Sequence, residues 1–380
     1  METPIKIDVY AKQKKVGTIA PYNRYQCAFE YDSDWLRDGF SISPFSLPLE
    51  TGVKIAKAMP FEGLFGVFYD SLPDGWGRLL TDRMLRREGY RPEEINAFSR
   101  LSIVGDSGRG LLTYKPVFKE FHGSLSADMD VLAAECRKIL NSEQDVKELD
   151  TIFAMGGSSG GARPKVSIKA DGREWLVKFP SSYDPPEIGL MEYEYNLCAR
   201  ECGIEIPEVK LFHSDKCPGY FGSVRFDRDY TARELHRVHI ASASALLEVS
   251  HQIPQIDYTT LLALTWQLTR NIGEMKKMFR LMCFNVFAHN RDDHSNNFSF
   301  ICRQGKWALS PAYDLTYSAS AGGEHATTVA GEGKNPEMQD ILTVARNAGL
   351  REKDARRIAK EVSDIVHDRL GKWLEPGGRG

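Results

Sequence analysis

The sequence predicts an α+β protein in which a β-rich lobe precedes a mostly helical lobe, with a further β-rich domain ahead of both. Near the N-terminus and again around residue 175, apolar residues alternate with polar ones, as in half-buried strands. After residue 239 they recur at helical spacing instead. The 380 residues are 42% hydrophobic, which suffices for a buried core in two or three domains.

Composition excludes several classes of protein. No low-complexity tract and no run of about 18 apolar residues occurs, which excludes fibrous, disordered and membrane-spanning chains. The net charge is −3, so the chain as a whole does not attract nucleic acid. The first residues lack the apolar core of a secretory signal, and the seven cysteines contain no CxxC pair. We therefore expect a cytoplasmic protein with reduced cysteines and no membrane contact.

The first predicted domain comprises residues 1–145. Alternating apolar residues at 5–9 and 16–19 predict a β-hairpin, and helical spacing at 129–140 predicts a helix. The polar stretch 141–150 predicts a domain boundary.

Two further domains are predicted, at residues 146–238 and 239–380. In the first, two strands around an Asp-Gly turn form a hairpin at 166–179, and a helix at 191–202 ends at a glycine. The second is mostly helical. Such a β-rich lobe followed by a helical lobe predicts a cleft between the two.

One segment, HNRDDHSNNF at 289–298, concentrates polar side chains between two apolar elements, as functional loops commonly do. Arg291 and Asp292, with Asn297 five positions later, reproduce the spacing of a phosphotransferase catalytic loop. In that chemistry the aspartate accepts the proton of the attacking hydroxyl, and the amide oxygen ligates Mg²⁺ on the nucleotide phosphates. The alternative is a polar loop whose Asp and Asn side chains only cap helices.

Asp314, in SPAYDLTYS, favours the phosphotransferase interpretation. A carboxylate that follows a short hairpin after the catalytic loop can bridge the β- and γ-phosphates through a metal ion. His289 and His294 flank Asp292 and Asp293, so a hydrolase metal cluster is the alternative, although no third histidine shares a ligand spacing with them. We expect His294 to organise the catalytic loop and to contribute to the nucleotide site.

Lys178, in EWLVKFP, stands on a predicted strand, where kinases carry a nucleotide-binding lysine. Its glutamate partner would lie on the next helix, which carries Glu192 and Glu194, and we favour Glu192. A solvated strand lysine is the alternative.

The segment GGSSGGARPK, at 156–165, precedes this strand. Its glycines, Gly160 among them, can bring backbone N–H groups close to phosphates, although the segment matches neither the Walker pattern nor GxGxxG. The alternative is a flexible linker.

Taken together and in this order, the motifs resemble the HipA family of serine/threonine kinases, the toxins of bacterial HipA–HipB toxin–antitoxin pairs. The similarity covers nearly the whole chain, and it is carried by FEYDSDWL, SLPDGWGRLL, VGDSGRGLLTY, GGSSGGARPK, WLVKFP, CGIEIPE, SVRFDR, RDDHSNNFSF and SPAYDLTYS. It implies a two-lobed, protein-kinase-like core of the HipA type that binds a nucleotide between its lobes, with an additional N-terminal β-rich domain.

The resemblance also implies roles for single residues. Asp292 corresponds to the catalytic base. Asn297 and Asp314 correspond to the magnesium ligands, and Lys178 corresponds to the phosphate-binding lysine.

Other correspondences concern the adenine and the glycine-rich loop. Val224 and Phe226 bound the segment that corresponds to the hinge holding the adenine. Ser158 corresponds to a serine that is autophosphorylated and moves the loop out of the site; Ser159 stands beside it, so which serine is modified is open. Asp293 departs from the small or basic residue expected there, and we expect it to alter the charge preference for substrates.

The resemblance implies an ATP- and Mg²⁺-dependent serine/threonine kinase of the toxin type. In the family, the substrate is a protein, with aminoacyl-tRNA synthetases as targets, and the partner is a HipB-like DNA-binding antitoxin, through which alone DNA is contacted. The alternative is a catalytically silent kinase fold that binds a DNA-binding repressor. The presence of Lys178, Asp292, Asn297 and Asp314 argues against it, because a silent relative would be expected to have lost at least one.

Overall fold

The computed structural model describes residues 4–118, 128–141, 149–157, 160–231, 236–320 and 322–374. The strands in these residues are β1 Ile7–Ala11, β2 Lys14–Pro21, β3 Cys27–Tyr31, β4 Lys54–Ile55, β5 Leu112–Lys115, β6 Lys165–Ala170, β7 Arg173–Lys178, β8 Val209–Phe212, β9 Tyr220–Val224, β10 Arg228–Asp229, β11 His236–Arg237, β12 His239–Ser242, β13 Ile256–Asp257, β14 Ser299–Arg303, β15 Lys306–Leu309 and β16 Thr327–Thr328.

The helices in the same residues are α1 Ser33–Asp38, α2 Gly66–Tyr69, α3 Gly75–Arg87, α4 Ala97–Val104, α5 Met129–Asn141, α6 Leu149–Gly156, α7 Ile188–Glu201, α8 Ala243–Leu247, α9 Tyr258–Thr269, α10 Ile272–Phe287, α11 Met338–Asn347 and α12 Glu352–Leu374. Within the described part of the chain, none of them combines the length and apolar character that crossing a bilayer requires.

The chain forms two compact units. Unit 1 consists of Met1–Gly189 and Lys210–Ala241, and unit 2 consists of Leu190–Val209 and Ser242–Gly380. The three predicted domains, 1–145, 146–238 and 239–380, stay a prediction, because the units are defined by compactness and each contains two separate stretches of chain.

The described residues of unit 1 form two larger sheets, besides the small antiparallel pair β10-β11. The first has the strand order β4-β3-β2-β1-β5, and in β1 the side chains of Ile7, Val9 and Ala11 are buried at every second position, as the sequence predicts. The second has the order β6-β7-β9-β8. Its predicted hairpin turns at Asp171 and Gly172, whose φ angles of 51° and 73° explain the Asp-Gly pair, because both positions require left-handed backbone.

A single core joins α3, α5 and α6 to the second sheet of unit 1. Trp76 and Leu80 of α3 pack in the same buried cluster as Val166 of β6 and Trp175 of β7. Helix α6 contributes to this core, although it begins inside the polar stretch that the sequence predicts as a boundary. The core therefore holds α3, from the N-terminal part of the chain, on the same body as the second sheet.

Unit 2 is mostly helical, as predicted. Helix α10 lies at its centre, with ten buried residues along 16 positions, and packs against α9 and α12. Strands β14 and β15 form an antiparallel hairpin directly after the predicted catalytic loop. That loop is therefore bounded by a buried helix on one side and a hairpin on the other.

Candidate active site

The predicted catalytic loop begins at a fixed point, the end of α10. His289 follows the helix with a φ of 51°, in the left-handed region that non-glycine residues seldom adopt. Asn290 then folds back onto α10: its backbone N–H donates to the Asn285 carbonyl over 2.9 Å, and its Nδ2 donates to Asn285 Oδ1 over 3.0 Å. These contacts orient the residues that follow.

Asp292 and Asn297 lie close together in this loop. The side chain of Asp292 is 64% exposed, with Oδ1 3.8 Å from His294 Nε2. Asn297 Nδ2 donates to the Asp292 backbone carbonyl over 2.7 Å. Because this bond uses the amide nitrogen, the amide oxygen is the atom with which Asn297 can ligate a metal. The loop thus bonds the Asn297 side chain to the backbone of Asp292, with His294 next to the Asp292 carboxylate.

Asp314 follows Tyr313, whose side chain is bonded to the predicted catalytic loop. Tyr313 Oη donates to the Asn296 carbonyl over 2.7 Å and accepts from Ser299 Oγ over 2.5 Å. Asp314 itself has a φ of 53°. Left-handed backbone at a non-glycine residue costs on the order of 1 kcal/mol or more, and it occurs in turns, as at Asp171, as well as at functional sites.

Helix α7 contacts both of these segments within unit 2. Tyr195 Oη donates to the Ala288 carbonyl, at the start of the loop, over 2.9 Å. Asn196 Nδ2 lies 3.4 Å from the Leu315 carbonyl, one residue after Asp314. This part of α7 therefore fixes the two segments that carry the candidate acids.

The two candidate glutamates of α7 have different surroundings. Glu194 accepts from Lys372 Nζ over 2.8 Å and from Trp373 Nε1 over 2.7 Å, so it attaches α7 to α12. Glu192, in contrast, is 1% exposed.

The expectation that Asp293 meets substrate is wrong. Its side chain is buried, and its carboxylate accepts hydrogen bonds from the Tyr258 hydroxyl over 2.7 Å, from His325 Nδ1 over 2.9 Å and from the Ala326 N–H over 2.8 Å. A carboxylate surrounded in this way cannot set a charge preference at the surface. Asp293 instead holds the catalytic loop to the segment that follows Asp314.

Lys178 lies at the end of β7 in unit 1, paired in register with Lys165 of β6. It is partly buried, and its Nζ lies 5.6 Å from the centroid of the Phe221 ring on β9. An ammonium over an aromatic face is attracted by the ring's negative charge. The lysine is therefore not the fully solvated strand residue of the alternative interpretation.

The predicted hinge follows β9 in the same sheet. Val224 is buried and pairs with Trp175 of β7, and the Arg225 N–H donates to the Glu174 carbonyl over 2.9 Å. Phe226 comes next and is partly buried. Lys178 and Val224 thus belong to adjacent strands of one sheet.

A buried charge network lies beside this hinge, and the sequence analysis missed it. Asp227 accepts from Arg225 Nη2 over 2.7 Å, from Arg228 Nη1 over 2.9 Å and from the Gly110 N–H over 2.7 Å. Burial raises the pKa of Asp227, but the charges and hydrogen bonds of the two arginines outweigh it and hold that pKa well below its ordinary value. The alternating charges of the sequence RFDRD, at 225–229, could have indicated this network.

In the glycine-rich segment, the structure describes residues 156, 157 and 160–165. Gly160 has its carbonyl bonded to Lys165 Nζ, and the Gly161 N–H is bonded to Asp74 Oδ1. Ser158 and Ser159, the two candidates for autophosphorylation, lie outside the described residues.

The donor atoms near the loop suit magnesium. Asn297 and Asp314 offer oxygen ligands, and Mg²⁺ at nucleotide sites takes one or two such protein ligands with phosphates and waters completing the shell. Among the described residues, no three His, Cys, Asp or Glu side chains form a metal-binding group. The hydrolase alternative also needs Asp293, whose carboxylate is already engaged by the hydrogen bonds described above.

Two protein-family models match the chain. A family model described as "HipA N-terminal domain" matches residues 7–115, and one described as "HipA-like C-terminal domain" matches residues 157–370. No curated protein matches the sequence.

Among solved structures, the chain is similar to HipA of Shewanella oneidensis MR-1, in a complex of the toxin–antitoxin system HipA, HipB and its operator DNA. The identity is 18% and the TM-score 0.68, over 95% of this chain and 90% of that chain. A second match is CtkA, a proinflammatory kinase of Helicobacter pylori, with 13% identity and a TM-score of 0.37, over 56% of this chain and 89% of that one.

The predicted fold class, an α+β protein with a core of the HipA type and an additional N-terminal β-rich domain, is thereby confirmed. Since the C-terminal model alone covers more than half of the sequence and the N-terminal model precedes it in the expected order, the chain belongs to the HipA family.

Proposed function

We propose that this protein is an ATP- and Mg²⁺-dependent serine/threonine kinase that acts as a toxin of the HipA type on a protein target. The observation that supports this most is the catalytic loop, in which an exposed Asp292 is held next to Asn297. The bond from Tyr313, the preceding residue, to the same loop supports the inclusion of Asp314 in this group.

Each of these residues has a task in phosphoryl transfer. Asp292, being exposed, accepts the proton of the substrate hydroxyl as that oxygen attacks the γ-phosphorus. His294 lies beside the carboxylate and orients it. Asn297 and Asp314 would hold the magnesium ion, which neutralises the charge on the β- and γ-phosphates when bound.

Residues of unit 1 would hold the nucleotide. Lys178 would pair with its phosphates, and the backbone between Val224 and Phe226 would hold the adenine. Glu192 stays the predicted partner of Lys178, because Glu194 is bonded to α12. Gly160 would bring backbone N–H groups to the phosphates.

We further propose that Ser158, or its neighbour Ser159, is autophosphorylated. A phosphate there adds about −1.5 to −2 charges next to an anionic nucleotide, which favours displacement of the loop and loss of ATP affinity. Mass spectrometry after incubation with Mg–ATP should find phosphate on one of the two serines, and a variant with both changed to alanine should stay active longer. If neither serine is modified and ATP affinity never falls, this self-inactivation does not occur.

The Shewanella complex supports a proposal for the antitoxin partner. We propose a HipB-like DNA-binding antitoxin as the partner, so that DNA is approached only through it, and a cytoplasmic protein as the substrate, an aminoacyl-tRNA synthetase being the first to test. Co-purification with a co-expressed HipB-like protein tests the first of these proposals.

Transfer of ³²P from γ-labelled ATP tests the activity itself. A kinase labels itself, and labels a lysate protein that can be identified by its mass, in a reaction that Asp292→Asn abolishes. Binding of ATP without any transfer would instead indicate the silent binding module. Phosphate release from other esters with no labelled protein would indicate a hydrolase.

A further inference from the structure

The described part of the glycine-rich loop after Ser159, residues 160–165, contacts the start of α3, in the N-terminal part of unit 1. The Trp76 N–H donates to the Gly161 carbonyl over 2.8 Å, and Trp76 Nε1 donates to the Lys165 carbonyl over 3.0 Å. Asp74 Oδ1 accepts a hydrogen bond from the Gly161 N–H. We call Asp74, Gly75 and Trp76 the loop platform.

The contact between platform and loop leaves no room for side chains. A Cβ added at Gly75, which has a φ of 44°, would lie 2.4 Å from the Gly161 carbonyl oxygen. One at Gly160 would lie 2.9 Å from Asp74 Oδ1, and one at Gly156 would lie 3.3 Å from Trp76 Nε1. Glycine at position 75 therefore allows the close approach of the two backbones, and the glycines of the loop leave room for the side chains of the platform.

The Asp74 side chain is bonded to the loop and does not cap its own helix. It occupies the N-cap position of α3, where an aspartate commonly accepts a hydrogen bond from the first turn, yet its side chain makes no such bond. The helix itself is rigidly placed, because Trp76 is 1% exposed and shares the core with Val166 and Trp175. The platform is thus a fixed surface to which the loop is attached.

Three carbonyl groups of the loop are engaged in hydrogen bonds around this contact. Those of Gly161 and Lys165 are bonded to Trp76, and that of Gly160 is bonded to Lys165 Nζ. Carbonyl oxygens carry partial negative charge, so a loop that receives phosphates must direct them elsewhere and offer N–H groups instead. The platform engages the carbonyl groups of Gly161 and Lys165, and Lys165 Nζ engages that of Gly160.

We propose that the loop platform positions the glycine-rich loop for the nucleotide, so that the N-terminal domain forms part of the nucleotide site. The proposal rests on the proposed kinase function. Asp74 and Trp76 are positioning residues: they act on the nucleotide through the loop, and they reduce the conformational freedom that binding would otherwise have to remove.

Asp74→Ala is the primary test, with Asp32→Ala as the matched control. Asp32 is also an N-cap aspartate of unit 1, but it caps its own helix. We expect faster amide hydrogen exchange at residues 160–168 of the nucleotide-free Asp74→Ala protein and unchanged exchange there in the control. ATP affinity should fall about tenfold in Asp74→Ala, the size expected for one hydrogen bond to a charged group. The turnover rate at saturating ATP should stay within about twofold of wild type, because Asp292 is not affected.

Two further variants, Asp74→Asn and Gly75→Ala, test the proposal even if Asp74→Ala fails to fold. Asp74→Asn keeps the Oδ1 acceptor and should restore slow exchange and ATP affinity. Gly75→Ala should loosen the loop, whereas Gly172→Ala should not, because Gly172 also has a positive φ but nothing lies within 4 Å of an added Cβ.

Unchanged loop exchange in Asp74→Ala would overturn the proposal, and so would faster exchange with unaltered ATP affinity. If the wild-type protein neither binds ATP nor transfers phosphate, the proposed function fails. The exchange comparison would still decide whether the platform holds the loop.

Discussion

His325 Nδ1 and Asp293 Oδ2 lie 2.9 Å apart, and both side chains are buried within unit 2. The adjoining residues reinforce this contact, because the Thr327 hydroxyl donates to the Asp293 carbonyl over 2.5 Å and the Ala326 N–H donates to its carboxylate. The chain after Asp314 is therefore attached to the catalytic loop next to Asp292. A carboxylate on the loop makes this attachment.

Replacing His325 should affect both stability and catalysis. In His325→Leu the buried carboxylate loses one donor, which should lower the free energy of unfolding by about 1.5–3 kcal/mol. The turnover rate should also fall in a protein that is still folded, because the loop carrying Asp292 loses an attachment. Urea unfolding and phosphotransfer at saturating ATP measure the two effects.

His325→Asn separates positioning from mere stability. Its amide nitrogen can donate from nearly the place of Nδ1, so turnover should return towards that of the wild type. If the leucine variant turns over at the wild-type rate below its unfolding transition, the contact stabilises the fold without positioning Asp292.

The Asp293–His325 contact also illustrates what sequence reasoning can predict here. Asp292, Asn297 and Asp314 could be proposed as site residues from the sequence, because phosphotransfer chemistry sets their spacing and they lie in or near one loop. The role of Asp293 could not be predicted from the sequence, because its partner His325 is 32 positions away and a polar loop residue is ordinarily solvated.

The same limit applies in unit 1. The strands and the Asp-Gly hairpin follow from local patterns, and the structure contains them. The bond between Asp74 and Gly161 spans 87 positions, so no local pattern predicts it. Helix α6 could not be predicted for a related reason. Its buried residues Ile152 and Phe153 follow a polar stretch, which favours a domain boundary over a helix.

Asp292→Asn should remove the base and leave nucleotide binding largely intact. The amide cannot accept the hydroxyl proton, so we expect phosphotransfer to slow at least about a hundredfold. ATP affinity, measured by calorimetric titration, should change little because other residues hold the phosphates.

Asp364→Asn is a matched control for this variant, since Asp364 is exposed to the same degree, 63% against 64%, but lies on α12. It should transfer phosphate normally. Turnover at the wild-type rate in Asp292→Asn would exclude Asp292 as the base, and the buried Asp293 could not take its place.

Asp314→Asn tests metal binding without altering the backbone. Asparagine tolerates the left-handed region, so the φ of 53° is retained while a negative charge next to the magnesium ion is lost. We expect weaker Mg–ATP affinity as well as slower transfer, and little change in the affinity for ATP measured without magnesium. Asp171→Asn, at a φ of 51° in the β6–β7 turn, is the control. If Asp314→Asn binds Mg–ATP as tightly as wild type, Asp314 is not a magnesium ligand.

His239 should make unit 1 sensitive to mild acid. Its ring is buried, with Nε2 2.8 Å from the Ile42 carbonyl, and burial lowers its pKa from 6.5 to about 4. Between these two values the unfolded chain binds a proton that the folded protein does not, so the free energy of unfolding falls as the pH decreases from about 6.5 to 4, by about 3 kcal/mol in all.

His239→Gln, whose amide can still donate to Ile42, should lose this part of the pH dependence in urea unfolding measured from pH 7 to 5. His213→Gln, which replaces a histidine whose side chain is 87% exposed, should keep it. Equal slopes in the wild-type and His239→Gln proteins would show that this ring does not titrate on unfolding.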